Sequence, residues 1–375
     1  MKKNKKDIDA LLLLAEALQK KEGYVKSNDY FNRVLKLDEK NTDALIGLGR
    51  ILMLQEKFKE AEEYFSKILA VTPQNEDAIE NIGISIGSQG RYKDAKKYFK
   101  KLTKLKSGYS RGWRLLGLTQ ANLEEIEEAK KSYEKALKLD KNNIYAGLGL
   151  AQILAKEGNI KEADIYIEKI LSENPEDSNI LNTIAEIFRE SNRFEKAISF
   201  YEKTIKADPV EQWAYFNIVS CRIGENKIDE ALSRLNEAMI LVKTAKLTDI
   251  IIQNFEENLT TLFMHGSKDS ISIYLREAFS LIEKYNYREQ FFKAMPQVIF
   301  EILIQNDEIE MKRFEWIETI LNETFNDNQD MVVPLKFLNI GIRHLKKNEK
   351  NALLQFTKEE RNTFKKFVLD KIEKA

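Results

Sequence analysis

The sequence predicts an all-α fold, an α-solenoid of tandem helix-turn-helix repeats followed by a C-terminal helical domain. Three observations predict it. Alanine recurs at 61, 95, 129, 163, 197 and 231, a constant step of 34 residues, and a fixed period of that length marks a stack of similar helical hairpins. Around these alanines apolar residues recur every three to four positions and are interrupted by short polar breaks, the pattern of amphipathic helices and their turns. Usage is helical as well, since only 15 Gly and 5 Pro in 375 residues leave little material for β-turns.

Residues 1–7 read as an N-terminal tail. The opening "MKKNKKDIDALLLLAEAL" resembles a leader segment, but Asp7, Asp9 and Glu16 interrupt it and no small-residue cleavage site follows. It is therefore expected to enter the first helix. One period before Ala61 stands Ser27, also small, so seven units run without insertion over residues 8–245. Within each unit two apolar stripes are separated by a break containing Gly90, Gly158, Asn192 or Asn226 in four of the units. A second break carries Pro73, Pro175 or Pro209 in three units. Early in each first helix a small residue (Ala15, Gly49, Gly83, Gly117, Ala151, Ala185) lets the second helix approach; the seventh unit has Val219 there. Four residues after the anchor comes an aromatic residue in five units (Phe31, Phe65, Phe99, Tyr133, Tyr201), replaced by Ile167 and Leu235 in two. It is expected to fill the gap to the next unit. Gly147 stands where a bulky residue is usual, and together with Val219 it predicts local looseness. Beyond 246 the period is lost while helical patterning continues, with predicted pairs 247–264 with 268–285, 287–305 with 308–325, and 330–346 with 358–373. Thr357 and Glu360 form a capping box for the last helix. This domain, 246–375, is expected to dock on the seventh unit and close its apolar end.

The repeated small and aromatic positions resemble the tetratricopeptide repeat family. The unit at 110–143 comes closest, with Trp113, Leu116, Gly117, Ala129, Tyr133 and Ala136. The resemblance implies a right-handed superhelix with a concave wall lined by the first helix of each pair, a surface on which such proteins hold peptide segments or partner helices.

Little in the chain supports catalysis. Lys+Arg and Asp+Glu balance at 60 each, so no global field draws in nucleic acid or an anionic membrane. The basic run 91–106 alternates its lysines with inward-facing Tyr92, Ala95, Phe99 and Leu102, which reads as a solvated helix face and speaks against nucleic acid. His265 and His344 have no ligand-spaced partner, and Cys221 has no nearby histidine. The glycine clusters 83–90 and 147–150 follow no strand and match no phosphate loop. The sequence thus predicts a non-enzymatic protein with no cofactor and no metal. One cysteine and the absence of a long apolar run further predict a cytoplasmic protein without membrane insertion.

Helical phase separates two features that share the stretch "SRGWRLLGL". Trp113, Leu116, Gly117 and Gln120 face the core, whereas Arg111, Arg114, Leu118 and Asn122 project to the concave wall. Extended along the chain, the same phase lines the wall with Asp9, Asp43 and Asp77 at one edge and with Arg50, Asn81, Arg111 and Arg114 in the middle. Tyr145, Asn182, Trp213 and Phe216 follow towards the C-terminus, with Leu12, Ile46, Met53, Ile84, Leu118 and Leu148 between. Asn81 and Arg111 match positions of the carboxylate clamp of chaperone-adaptor tetratricopeptide domains, while Ile46, Arg50 and Leu115 replace its other members. The expected function is a scaffold or adaptor that binds a partner protein or peptide, through an acidic group or C-terminus, in this groove. The alternatives are a self-assembling subunit forming homo-oligomers, and a regulator whose C-terminal helices contact an enzyme or nucleic acid.

Overall fold

The computed structural model describes residues 2–21, 23–209, 212–245, 248–288, 298 and 311–325. Among the described residues every regular element is an α-helix. The chain forms two compact units, Met1–Glu173 and Asn174–Ala375. Their boundary falls inside the repeat array, after the fifth hairpin.

In the first unit the hairpins are α1 (Lys2–Lys20) with α2 (Tyr24–Leu37), α3 (Thr42–Leu54) with α4 (Phe58–Val71), and α5 (Glu76–Ser88) with α6 (Tyr92–Leu105). They continue as α7 (Ser110–Ala121) with α8 (Ile126–Leu139), and α9 (Ile144–Lys156) with α10 (Ile160–Glu173). Helix starts follow the period. The side chains of Asn41, Asn75 and Asn143 accept the backbone N–H of Ala44, Ala78 and Ala146, three residues on, and so satisfy one of the free donors that open each helix. The turns follow it too. In the described residues of six hairpins one residue takes the left-handed backbone region, at 56, 90, 124, 158, 192 and 226, with φ from 56° to 82°.

Packing inside a hairpin rests on the small residue of the first helix. A Cβ added to Gly49 would lie 2.5 Å from the Phe65 ring, one added to Gly83 2.7 Å from Phe99, and one added to Gly117 2.9 Å from Tyr133. The aromatic ring therefore occupies the space of the missing side chain in its own unit, which the sequence expectation had given only to the next. Phe31 and Tyr133 reach the next unit as well, where a Cβ on Gly47 or Gly149 would meet their rings at 2.2 and 2.5 Å. Ser27, the polar member of the anchor series, is buried and donates its hydroxyl to the Ala15 carbonyl at 2.7 Å. That bond removes the cost of a buried unpaired hydroxyl.

The second unit contains α11 (Ser178–Glu190) with α12 (Phe194–Ala207), α13 (Gln212–Gly224) with α14 (Ile228–Ala245), then α15 (Thr248–His265), α16 (Lys268–Lys284) and α17 (Met311–Thr324). Asp177 caps α11 as the asparagines cap their helices. Past α14 the stacking changes, for α15 lies against α13, α16 against α14, and α17 against α16. One core joins Val219, Leu235 and Met239 of the last hairpin to Phe255, Phe263, Tyr274, Leu275, Ile317 and Leu321. The seventh hairpin is thus closed by the non-repeat helices. Val219 is fully buried in that core. The predicted helices 330–346 and 358–373, with Thr357 and His344, lie outside the described residues, as does most of 287–305.

Replacement of Gly83 by Ala is expected to destabilise the chain by about 1–3 kcal/mol through overpacking against Phe99, against a helix-propensity gain of about 1 kcal/mol. At Gly87 the new Cβ meets Ala95 at an ordinary 3.7 Å, and Gly87→Ala is expected to stabilise. Denaturant titration of both variants checks the sign of each.

Candidate functional site

In the first unit Arg50 (α3), Asn81 (α5) and Arg111 (α7) do come together, in a cleft of about 720 Å³ also lined by Met53, Asp77, Glu80 and Tyr109. The charges there are largely answered from within. Arg111 Nε lies 2.8 Å from Glu80 Oε1, and the Tyr109 hydroxyl donates to Glu80 Oε2 at 2.9 Å. Glu80 is nearly buried, at 9% exposure, so its two partners compensate a carboxylate that would otherwise be costly to desolvate. Burial first, then the Glu80 hydrogen bond and charge, push the Tyr109 hydroxyl up to about 12. Arg50 faces Asp77 at 3.9 Å with both side chains largely exposed, a pair of little energetic weight. Asn81 turns its amide onto the Asp77 carbonyl of its own helix at 2.7 Å. The two positions that match the chaperone-adaptor clamp are therefore engaged by the chain itself.

Arg114 is held differently. Its guanidinium is half-buried and sits 5.6 Å from the centre of the Tyr145 ring. It makes no hydrogen bond or ion pair with any described residue. Burial first, and then the Arg111 charge, disfavour its positive form. Leu118 and Tyr145 are exposed at 46% and 57%, so an apolar surface and an aromatic face border this cation. Trp113 points away, packed against the core, with its indole N–H donating to the Ser107 carbonyl at 2.9 Å. Ring and guanidinium belong to different faces, as the helical phase requires.

Several wall residues are placed otherwise than the sequence reading expected. Leu148 is 3% exposed because α9 is apolar nearly all round and buried on more than one face. Ile46 joins the core of the second to fourth hairpins. Phe216, 1% exposed, is covered by α15: Asn254 Nδ2 donates to the Phe216 carbonyl at 3.2 Å, and Ser220 one turn on donates to Asn258 Oδ1 at 2.8 Å. Trp213 keeps 36% exposure. Asn182 has a buried Oδ1 without a hydrogen-bond partner among the described residues.

The second unit also contains a polar cluster that the sequence reading overlooked. Glu186 accepts from the Tyr201 hydroxyl and from Asn217 Nδ2, each at 2.6 Å, and from Arg189 at 2.9 and 3.1 Å. Arg189 also pairs with Glu257 of α15. Both missed carboxylates were within reach of the period, Glu80 one step before Arg114 and Glu186 two steps after Leu118. Cys221 is fully buried, and burial pushes its thiol up to about 12. Four cations of the run 91–106 pair with the chain's own carboxylates, Arg91 with Glu62, Lys96 with Glu125, Lys97 with Asp94 and Lys106 with Glu76. No helix among the described residues is long and apolar enough to cross a membrane.

Glu80→Gln removes the charge that helps hold the Tyr109 proton. The Tyr109 ionisation is expected to fall from about 12 towards the ordinary tyrosine range, followed by carbon NMR of labelled tyrosine with Tyr109→Phe for assignment.

Comparison with known proteins gives the lineage. The family model of the cytochrome c-type biogenesis protein H TPR domain matches residues 103–211, and two tetratricopeptide repeat models match 24–80 and 78–109. No curated protein matches the chain. A solved tetratricopeptide repeat protein from Parabacteroides merdae is similar in fold over 63% of this chain and 93% of its own, at 18% identity and a TM-score of 0.53. The structure of pilF from Pseudomonas aeruginosa matches over 55% of this chain and 94% of its own, at 22% identity and a TM-score of 0.47. With a helical hairpin repeated every 34 residues and three matching models of one repeat type, the chain belongs to the tetratricopeptide repeat family.

Proposed function

We propose that this protein is a non-enzymatic scaffold that binds a partner polypeptide on the first unit, with Arg114 receiving an acidic group of that partner. The observation that carries this reading is the state of Arg114: half-buried, near the Tyr145 ring, and hydrogen-bonded or ion-paired to no carboxylate among the described residues, Glu80 acting on it only at longer range. Buried charges in folded proteins are normally paired, so a cation left in this condition favours an anion from outside. Leu118 and Tyr145 beside it offer the apolar contact that accompanies such a charge in peptide recognition. Arg111 plays a lesser part because Glu80 already competes for it. The apolar wall of α13 is taken by α15, which directs the reading to the first unit.

Capture of partners from the protein's own source, compared between wild type and Arg114→Glu, tests this. A charge-assisted hydrogen bond is worth about 1.5–3 kcal/mol, so retention is expected to fall tenfold or more. Glu80→Gln, which frees Arg111, is expected to tighten it. An unchanged partner list with Arg114→Glu removes the reading.

A second reading, self-assembly, draws on the N-terminal hairpin, where Leu13, Leu14 and Val25 are 68%, 48% and 78% exposed. It expects a molar mass that rises with concentration in light scattering, and a Leu13→Glu/Val25→Glu variant that stays monomeric. A wild-type chain that is monomeric at all concentrations dismisses it.

A further inference from the structure

One face of α1, at residues 10, 13, 14 and 17, has counterparts at each 34-residue step along the first helices of the first unit. In α3, α5 and α7 all four counterpart positions are buried. They lie against the second helix of the preceding hairpin: the Phe31 ring of α2 is 2.2 Å from where a Gly47 Cβ would be, and Leu102 of α6 is 3.5 Å from where a Gly112 Cβ would be. The α7 set, Gly112, Leu115, Leu116 and Thr119, runs small, leucine, leucine, small. The α1 set, Ala10, Leu13, Leu14 and Ala17, has the same order, yet all four residues are exposed. A face with core composition at a position that the fold otherwise buries marks a contact surface. Val25 does not belong to it, because its counterparts one and two periods on, Lys59 and Lys93, are exposed as well.

We propose that this face seats a second copy of the chain, the two α1 helices running antiparallel about a two-fold axis between Leu13 and Leu14. The proposal rests on the self-assembly reading above and gives it a geometry. The stripe is symmetric about its midpoint, leucine answering leucine and alanine answering alanine. A two-fold contact requires such a self-complementary patch, since each residue meets the same partner in both copies. Leu13 of one copy then lies beside Leu14 of the other, and the alanines on either side leave room for both. A parallel pair would set the lysine-rich start of α1, with Lys2, Lys3, Lys5 and Lys6, beside its own duplicate. The antiparallel pair separates these charges and opposes the two helix dipoles. Head-to-tail growth would need an open second helix at the last hairpin, and in the second unit α14 is packed by α16 within a common core. The contact therefore closes at two copies.

Light scattering of the full chain reads the assembly, and disulfide trapping reads its geometry. Wild type is expected to approach twice the mass of the chain, and no more, as concentration rises. Leu14→Glu is expected to raise the dimer dissociation constant roughly thirtyfold or more, whereas Val25→Glu changes it by no more than about twofold. Under copper-phenanthroline oxidation a mixture of Ala10→Cys and Ala17→Cys chains is expected to link into dimers. Neither variant links with itself, because in the antiparallel pair the two residues at position 10 are about 10 Å apart along the axis. Wild type, whose Cys221 is fully buried, is the control. A wild type that stays monomeric at all concentrations overturns the self-assembly reading and this proposal together. Particles of more than two chains, self-linkage of Ala10→Cys, or a dimer weakened by Val25→Glu and not by Leu14→Glu overturns this proposal alone and leaves self-assembly standing.

Discussion

The second, third and fourth hairpins depend on an aromatic ring lying where a side chain would otherwise be. Phe65 over Gly49, Phe99 over Gly83 and Tyr133 over Gly117 bring two helices closer than any Cβ would permit. The second helix can then bury its anchor alanine, and Ala61, Ala95 and Ala129 are fully enclosed. Close approach fixes the tilt of the pair, and the pair's tilt decides which residues of the first helix remain facing outward. The positions of Arg111 and Arg114 are therefore a consequence of Gly117 and Tyr133 in the same hairpin.

Much of this was legible in the sequence because it is periodic. A 34-residue step fixes hairpin number, the small and aromatic partners, and the opposed faces of Trp113 and the two arginines, since all of these follow from helical phase alone. Phase says only which way a residue points. It is silent on whether another element covers that direction, and so it placed Phe216 and Leu148 on an open wall. Phe216 is beneath α15, which lies beyond the period, and α9 is apolar on too many sides to expose Leu148. Glu80 was missed although its position in the repeat is the same as that of Arg114, one period on.

The two units treat their polar interior differently. In the first, Glu80 gathers Tyr109 and Arg111, and Arg114 makes no direct contact with a carboxylate among the described residues. In the second, Glu186 gathers Tyr201, Asn217 and Arg189, and Arg189 extends the network to Glu257 on α15. Buried polar networks of this kind contribute more to specifying one arrangement than to net stability. Here the arrangement specified is a non-repeat helix seated on a repeat helix. That helix takes the place a foreign segment would need, so the groove of the last hairpin is filled by the chain's own sequence.

The left-handed turn residue found in the second to seventh hairpins bears on how the array comes apart. The same backbone state is occupied by Glu at 56 and 124, by Gly at 90 and 158, and by Asn at 192 and 226. Glycine adopts it freely and asparagine at small expense, whereas a glutamate meets a clash of roughly 1–2 kcal/mol. In a repeat protein, stability is a sum of local terms, so hairpins with different turn strain need not open together. The second and fourth hairpins thus carry stored tension between helices, and the fourth is the one that presents Arg114. The Glu124 turn closes the C-terminal end of the helix that carries Arg114 at its other end, so turn strain and the rigidity of that helix are linked through one residue.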